Sequence, residues 1–395
     1  MIRKSKVILM LVLGLVVTSF VAHLLITRPT DVKQFFYPIE AKIAGIESRC
    51  SVKAPKWLHY LLQTSLQSRG SLANQIAYID TAGGLHHCES GWSGRLLFSE
   101  PVVQTDRYRY ASITKILTAD LILRLIDENR LKLDTKLVEI FPEIKPARDD
   151  RINDITISNL LNHTAGFDRN TLSGDIMFWS AKKNWCPYQL ERMSKEKLAF
   201  TPGEKQVYSN LGYCLLGAII QKTTGLRYRD YAEKIYRLSQ YNIKFIDGPY
   251  LSDEVKYDFR NDYFYTEGYY KGFDFDANEA VVGASGSAIG LARVVEYIAS
   301  RSELDLFSSS VYKNCNLKEV DKCYGNAFNH YRPENTNLRL FTHSGYLPGS
   351  SSILVVDDHG GILVLLNAGA PPDLFKSNQE TVKLIYDFLK KEYKL

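Results

Sequence analysis

A helix with no polar face has to lie inside a protein, and this chain carries one beginning at Ser112. Ile113, Ile116, Leu117, Leu121, Ile122, Leu125 and Ile126 surround it on all sides as far as about Glu128. Its first turn reads Ser112-Ile-Thr-Lys115, and residues three apart share a helix face. Burying an ammonium is costly and lowers its pKa, so a lysine there takes up a proton near neutral pH. The helix dipole favours a developing alkoxide on Ser112. The spacing itself is not distinctive, since it recurs at Ser180–Lys183, Ser194–Lys197 and Ser310–Lys313. The first two of these lie in polar, lysine-rich stretches that read as surface. At Ser112 the plain alternative is a serine N-cap with a snorkelling lysine, and the apolar depth of the helix argues against it.

Two more motifs follow in order. Tyr208-Ser-Asn210 comes just after a Pro202-Gly203 turn, and Asn210 is expected to cap an apolar helix starting at Leu211. This places Tyr208 on a constrained loop, where a phenol near an ammonium serves as a proton shuttle for Ser112. His343-Ser-Gly345 is expected to close an apolar strand containing Leu340 and Phe341, ahead of a Pro348-Gly349 turn. A glycine at a strand end allows close approach, so a substrate can lie along the edge formed by Ser344 and Gly345. The N–H of Tyr346 would then join that of Ser112 as an oxyanion hole. Taken singly, each motif is also satisfied by a core tyrosine beside a cap or a histidine bonded at a strand end.

The elements predict an α+β fold. Strands are expected at Gln75–Asp80 and Gly91–Ser99, around the Gly83-Gly84 turn, and again at Arg339–His343, Ser351–Asp357 and Ile362–Asn367. Helices are expected at Trp57–Ser68, Ser158–Asn162, Leu211–Thr224, Leu291–Ser300 and Asn378–Tyr393. Strands at both ends with helices between them predict one antiparallel sheet, built from both termini, flanked by helices and carrying a mostly helical region.

Lys and Arg total 49 against 44 Asp and Glu. That mild excess, without a clustered basic stripe, argues against a nucleic-acid partner. Arg3, Lys4 and Lys6 precede an apolar run from Val7 to Ile26, long enough for one bilayer crossing. No small-x-small site ends the run, which favours an uncleaved anchor over a removed signal segment. The basic flank would stay cytoplasmic. Residues 1–28 are therefore read as an inner-membrane anchor or signal, 29–54 as a spacer, and 55–395 as a domain in the periplasm or outside the cell. In that oxidising compartment Cys315 and Cys323 are the natural local disulfide. Cys50, Cys88, Cys186 and Cys214 allow two more, with a buried free thiol the equal alternative for Cys214. His86-His87-Cys88 lacks the second ligand pair of a zinc site, so no metal is expected.

With the three motifs in this order, the chain resembles the serine β-lactamase and penicillin-binding-protein superfamily, on its class C β-lactamase-like branch. Ile155-Thr-Ile-Ser-Asn-Leu-Leu-Asn-His-Thr-Ala-Gly-Phe167, Pro202 to Tyr213 and His343 to Gly349 are similar to that family's segments, and the similarity spans roughly residues 55–395. The resemblance implies a β-lactamase/transpeptidase-like fold and an acyl-enzyme on Ser112, with Lys115 and Tyr208 sharing the acid–base work. It further implies that Asn210 bonds the acyl group or Lys115, that His343 holds Tyr208 or a substrate carboxylate, and that no cofactor is needed. His343 stands where the branch's β-lactamases usually have lysine. That is more similar to DD-carboxypeptidases, D-aminopeptidases and esterases, acting on a small or peptidoglycan-derived acyl substrate. The competing readings are a β-lactamase proper and a catalytically silent cell-wall sensor. An α/β-hydrolase is excluded, because Gly283-Ala-Ser-Gly-Ser287 lacks the last glycine of a nucleophile elbow.

Overall fold

The computed structural model describes residues 2–169, 185–262, 264–300, 306–307, 315–333 and 336–395. Its strands are β1 (Arg49–Cys50), β2 (Ala73–Ile79), β3 (Leu85–Gly91), β4 (Tyr108–Arg109), β5 (Lys244–Phe245), β6 (Ala284–Gly286), β7 (Tyr324–Gly325), β8 (Phe328–Tyr331), β9 (Leu340–Leu347), β10 (Ser350–Asp357) and β11 (Ile362–Asn367). Its α-helices are α1 (Ile2–Thr27), α2 (Pro29–Ile46), α3 (Lys56–Ser68), α4 (Thr114–Asp127), α5 (Leu137–Ile140), α6 (Ile157–Leu161), α7 (Asn210–Thr224), α8 (Tyr228–Tyr236), α9 (Glu279–Val282), α10 (Ala288–Ala299) and α11 (Leu374–Glu392).

The main sheet is antiparallel, in the order β1-β3-β2-β11-β10-β9-β8-β7, so the two ends of the chain meet at the β2–β11 pair. Side chains on a strand alternate between faces, and both faces of this sheet are apolar. Ile362, Val364 and Leu366 of β11 join the core that holds α4 and α10, while Leu363 and Leu365 join the one under α3 and α11. The sheet is therefore a middle layer, with α3 and α11 outside and the helical region inside. The expected fold class is the one observed.

Several boundaries differ from expectation. The second strand lies at Leu85–Gly91, not at Gly91–Ser99. Its polar-looking His86-His87-Cys88-Glu89 sequence passes from half-buried to buried at Cys88, which is sealed by a disulfide to Cys50. Gly91 ends the strand at positive φ, where a Cβ would collide with the Leu72 carbonyl. His343-Ser-Gly345 does not close β9, which continues to Leu347 before a two-residue turn. The disulfides Cys186–Cys214 and Cys315–Cys323 use the remaining cysteines, so Cys214 is not a free thiol.

Residues 29–54, expected as a spacer, fold onto the body as α2 and β1. Ala41 and Ala44 of α2 are buried, and Glu40 pairs with Arg260 at 2.9 Å. Among the described residues no single helix is long and apolar enough to cross a membrane. Val12–Thr27 and α2 together meet that measure as a pair bent by 106° at Arg28.

Candidate active site

Ser112 sits in a single 3₁₀ turn, Ala111–Ile113, that runs straight into α4. Three hydrogen bonds fix the backbone leading into this turn. Ser350 and Ser352 of β10 donate to the carbonyls of Arg109 and Tyr110 at 3.1 and 2.8 Å. The Tyr110 N–H donates to Ala284 O at 3.0 Å. Ala111 is held at φ 50°, a left-handed conformation that costs an L-residue about 1–2 kcal/mol. Gly345 faces this turn, and a Cβ there would run into Tyr110 O and Ser352 Oγ. The glycine of the third motif is thus needed so that β9 can lie against the backbone around Ser112. Gly286 answers a similar demand, since a Cβ would meet the Tyr110 hydroxyl. This gives the Gly283–Gly286 segment a structural part in seating Ser112.

Lys115 is completely buried one turn into the helix. Its Nζ lies 3.0 Å from Ser112 Oγ and 3.2 Å from Val281 O. The Tyr208 hydroxyl is 2.9 Å from the same Oγ, and the ammonium lies 5.1 Å from the Tyr208 ring centroid. The structure therefore brings Ser112, Lys115 and Tyr208 into mutual contact. One expectation about Asn210 fails. The helix begins at Asn210 itself with Ser209 in the N-cap position, so the Asn210 amide does not cap it and instead lines the cavity beside Ser112.

His343 also reaches this cavity. Its Nδ1 is 2.6 Å from Ala327 O. Burial, and next the Lys115 charge, push its pKa down to about 3 against the opposing backbone hydrogen bonds of Ala327 and Ser112. A neutral imidazole tied to backbone offers no permanent charge to a carboxylate. Ser344, Gly345 and Tyr346 line the cavity as well. β8 pairs with β9 only from Leu340 to Thr342, so beyond Thr342 that edge of β9 is not covered by β8 and faces the cavity. The Tyr346 hydroxyl donates to Asp262, which also accepts from the Gly349 N–H at 2.6 Å. These bonds fix the strand end that carries the Tyr346 N–H.

The cavity measures about 430 Å³, within the range of small-molecule sites. It also contains residues that the sequence motifs did not single out: His163, Arg169, Gln206, Tyr265, Tyr269, Asp321 and Phe375. His163 matters most. It accepts from the Val207 N–H at its carbonyl (2.9 Å) and from the Ser209 N–H at Nδ1 (3.3 Å), so it grips the chain on both sides of Tyr208. Its ring packs 4.4 Å from that of Tyr208 and 4.7 Å from that of Tyr324. Burial, then Lys115 and His343, hold it well below the usual histidine range, hence neutral. Gln206 fastens the same loop through bonds of 2.9 Å to Asn162 O and Tyr324 O. The signal for His163 was its place in the Ile155–Phe167 segment, but a lone histidine after a short helix does not reveal what it grips. Asp321 is raised to about 6 by burial. Among the described residues no group of three or more His, Cys, Asp or Glu side chains is arranged to hold a metal.

The family pattern for beta-lactamase matches residues 78–386. A putative fimbrial assembly protein FimD, serogroup D, from Dichelobacter nodosus is 39% identical over 350 residues, 88% of each chain. A putative D-alanyl-D-alanine carboxypeptidase of Escherichia coli K12 is 31% identical over 172 residues, 42% of this chain and 39% of that protein. Among solved structures, D-amino acid amidase from Ochrobactrum anthropi SV3 superposes with a TM-score of 0.66 at 19% identity, covering 85% of this chain and 97% of the amidase. A beta-lactamase/D-alanine carboxypeptidase from Pseudomonas syringae gives 0.64 at 16% identity, over 84% and 97%.

Proposed function

This chain belongs to the beta-lactamase family of serine hydrolases, and on that footing we propose that it cleaves D-amino acid amides or esters of the cell envelope through an acyl-enzyme on Ser112. The observation that carries the reading is the double contact on one oxygen, with Lys115 Nζ at 3.0 Å and Tyr208 OH at 2.9 Å from Ser112 Oγ. In the forward step Oγ bonds to the substrate carbonyl carbon while its proton passes to the Lys115 amine or the Tyr208 oxygen. The oxyanion forms against the N–H groups of Ser112 and Tyr346. The carbon–nitrogen or carbon–oxygen bond then breaks, and the leaving group takes up the stored proton. Water attacks the ester by the same route in reverse and frees Ser112. His163 and His343, both neutral, hold Tyr208 and β9 in register around Lys115.

The cavity wall supports an amino acid derivative as substrate. Asp321 suits an α-ammonium and Arg169 a carboxylate, while Tyr265, Tyr269 and Phe375 offer apolar surface for a side chain. The apolar run Val7–Ile26 supports attachment of the domain to the inner membrane, facing away from the cytoplasm. The test uses the full chain in detergent with D-phenylalanine amide, L-phenylalanine amide and acetyl-D-Ala-D-Ala. We expect a D over L preference of at least about tenfold, and loss of about 10³-fold or more in Ser112→Ala. Turnover undiminished in Ser112→Ala removes the reading.

A second reading is favoured by the 39% identity to a protein named for fimbrial assembly. The same hydrolysis would then serve the building of a surface appendage. Cells whose only copy is Ser112→Ala would make fewer fimbriae, and unchanged fimbriation would exclude this role.

A further inference from the structure

Helix α2 has two working faces, and among the described residues only one of them is covered by protein. On the covered face Ala41 and Ala44 are buried against the body. Tyr37 lies 4.6 Å from the Arg260 guanidinium, and its hydroxyl contacts Leu66 O and the Ser71 N–H. Gln34 donates to Arg260 O at 2.8 Å, and Arg260 in turn donates to Lys33 O at 2.8 Å and Glu40 at 2.9 Å. Helical spacing puts Phe35, Phe36, Ile39 and Ile46 on the other side. All four are exposed, at 77%, 46%, 57% and 79%. A soluble surface seldom gathers large apolar side chains along one stripe without an occupant.

The chain itself indicates the occupant. Immediately before Arg28, α1 exposes Val12, Leu13, Leu15, Val16, Val21, Leu25 and Ile26. The two helices meet at 106°, so a helix standing across a bilayer would leave α2 lying nearly in its plane. Lys33 and Lys42 are exposed along this stretch, as is Arg28 beside Asp31 at 3.9 Å, and lysines beside an apolar stripe suit a helix at an anionic lipid surface.

We propose that α2 is an interfacial helix, with Phe35, Phe36, Ile39 and Ile46 sunk into the outer leaflet of the membrane that α1 crosses. This rests on the anchored reading given above and adds an orientation to it. Because α2 is clamped to the body, the bilayer fixes the tilt of the whole domain. The clamp also lies close to the cavity in sequence. Arg260 holds α2, and two residues later Asp262 holds Tyr346 and Gly349 at the cavity rim.

The test uses the full chain in nanodiscs of phosphatidylethanolamine and phosphatidylglycerol. All six cysteines are paired in disulfides, so single cysteines placed at Phe35, Ile39, Ile46 or the exposed Lys222 can be labelled alone with an environment-sensitive dye. Spin labels in the acyl chains should quench the dye at 35, 39 and 46 at least about threefold more than at 222, an expectation set by burial of the apolar face 5–10 Å below the headgroups. If the chain stays in the nanodisc but iodide in the buffer quenches 35 and 39 as fully as 222, the α2 proposal is overturned and anchoring survives. Protection from both quenchers also overturns it, in favour of a protein occupant. A chain that leaves the nanodisc overturns anchoring and the proposal together.

Discussion

Two cations are buried six residues apart, and their surroundings differ in kind. Arg109 is met by a carboxylate: its Nε lies 2.6 Å from Glu254, and neither side chain reaches solvent. Its guanidinium lies 3.9 Å from the Tyr270 ring centroid and donates to Gly248 O at 3.2 Å. Lys115 is turned onto oxygens that can react or relay, Ser112 Oγ at 3.0 Å, with the Tyr208 ring beside it. A buried cation matched by a buried anion is a fixture, and removing either leaves an uncompensated charge. A buried cation resting on a hydroxyl is placed to exchange a proton with it. What a charge is given for company separates scaffold from chemistry here, within one short segment of chain.

The comparison is sharpest when each cation is removed by a side chain of similar length. Lys115→Met should lower the hydrolysis rate by about 10³-fold or more, while thermal unfolding shifts little or upward, as happens when a site optimised for function is relaxed. Arg109→Met should do the reverse in unfolding measurements, costing about 3–5 kcal/mol because Glu254 is stranded. If Lys115→Met proves the more destabilising of the two, the distinction fails.

A smaller effect comes from Gly345→Ala. The added methyl has to displace the backbone near Tyr110 or the Ser352 hydroxyl. An overpacked site of this kind costs about 1–3 kcal/mol, and the rate should fall more than the melting temperature suggests because Ser112 moves with it. Equal activity in this variant would mean that β9 does not set the nucleophile's position.

The histidines supply a pH test. In the folded protein His343 is held near 3 and His330 near 4, mainly by burial, and His163 also lies well below the ordinary 6.5. Below 6.5 the unfolded chain binds protons that the folded chain refuses. Stability is therefore complete above that pH and declines from about 6.5 towards 3, by roughly 1.4 kcal/mol per unit for each such histidine. Urea melts at pH 7, 6 and 5 should show this slope, reduced in His343→Gln. A slope unchanged by that substitution would mean His343 is not held neutral. The smallest effect is expected from Tyr346→Phe, which loses the bond to Asp262 and keeps the backbone N–H. A few-fold loss of rate is expected in a steady-state assay, since a single hydrogen bond is worth about 1 kcal/mol.

The sequence was most legible where local chemistry and depth agreed. Ser112 and Lys115 stood out because their helix has no polar side, and the two-ended sheet because short continuous apolar runs mark β10 and β11 plainly. Legibility failed at β3, whose half-buried histidines mask a strand that becomes buried from Cys88, where the Cys50–Cys88 bond closes it. It failed again at Asn210, whose propensity for capping was overridden by its place on the cavity wall. His163 was out of reach for a different reason. Its work is to grip Val207 and Ser209, more than forty residues away, and no local pattern encodes a partner at that distance.

The central claim is that Lys115 and Tyr208 converge on Ser112 to make it the nucleophile. Its most direct test is intact mass and peptide mapping of the full chain after brief exposure to a D-amino acid ester or a penicillin, beside Ser112→Ala and Lys115→Met. The account predicts one acyl mass increment, located on Ser112, absent in the first variant and formed at least about 10³-fold more slowly in the second. An increment on another residue, or equal labelling of Lys115→Met, would contradict it.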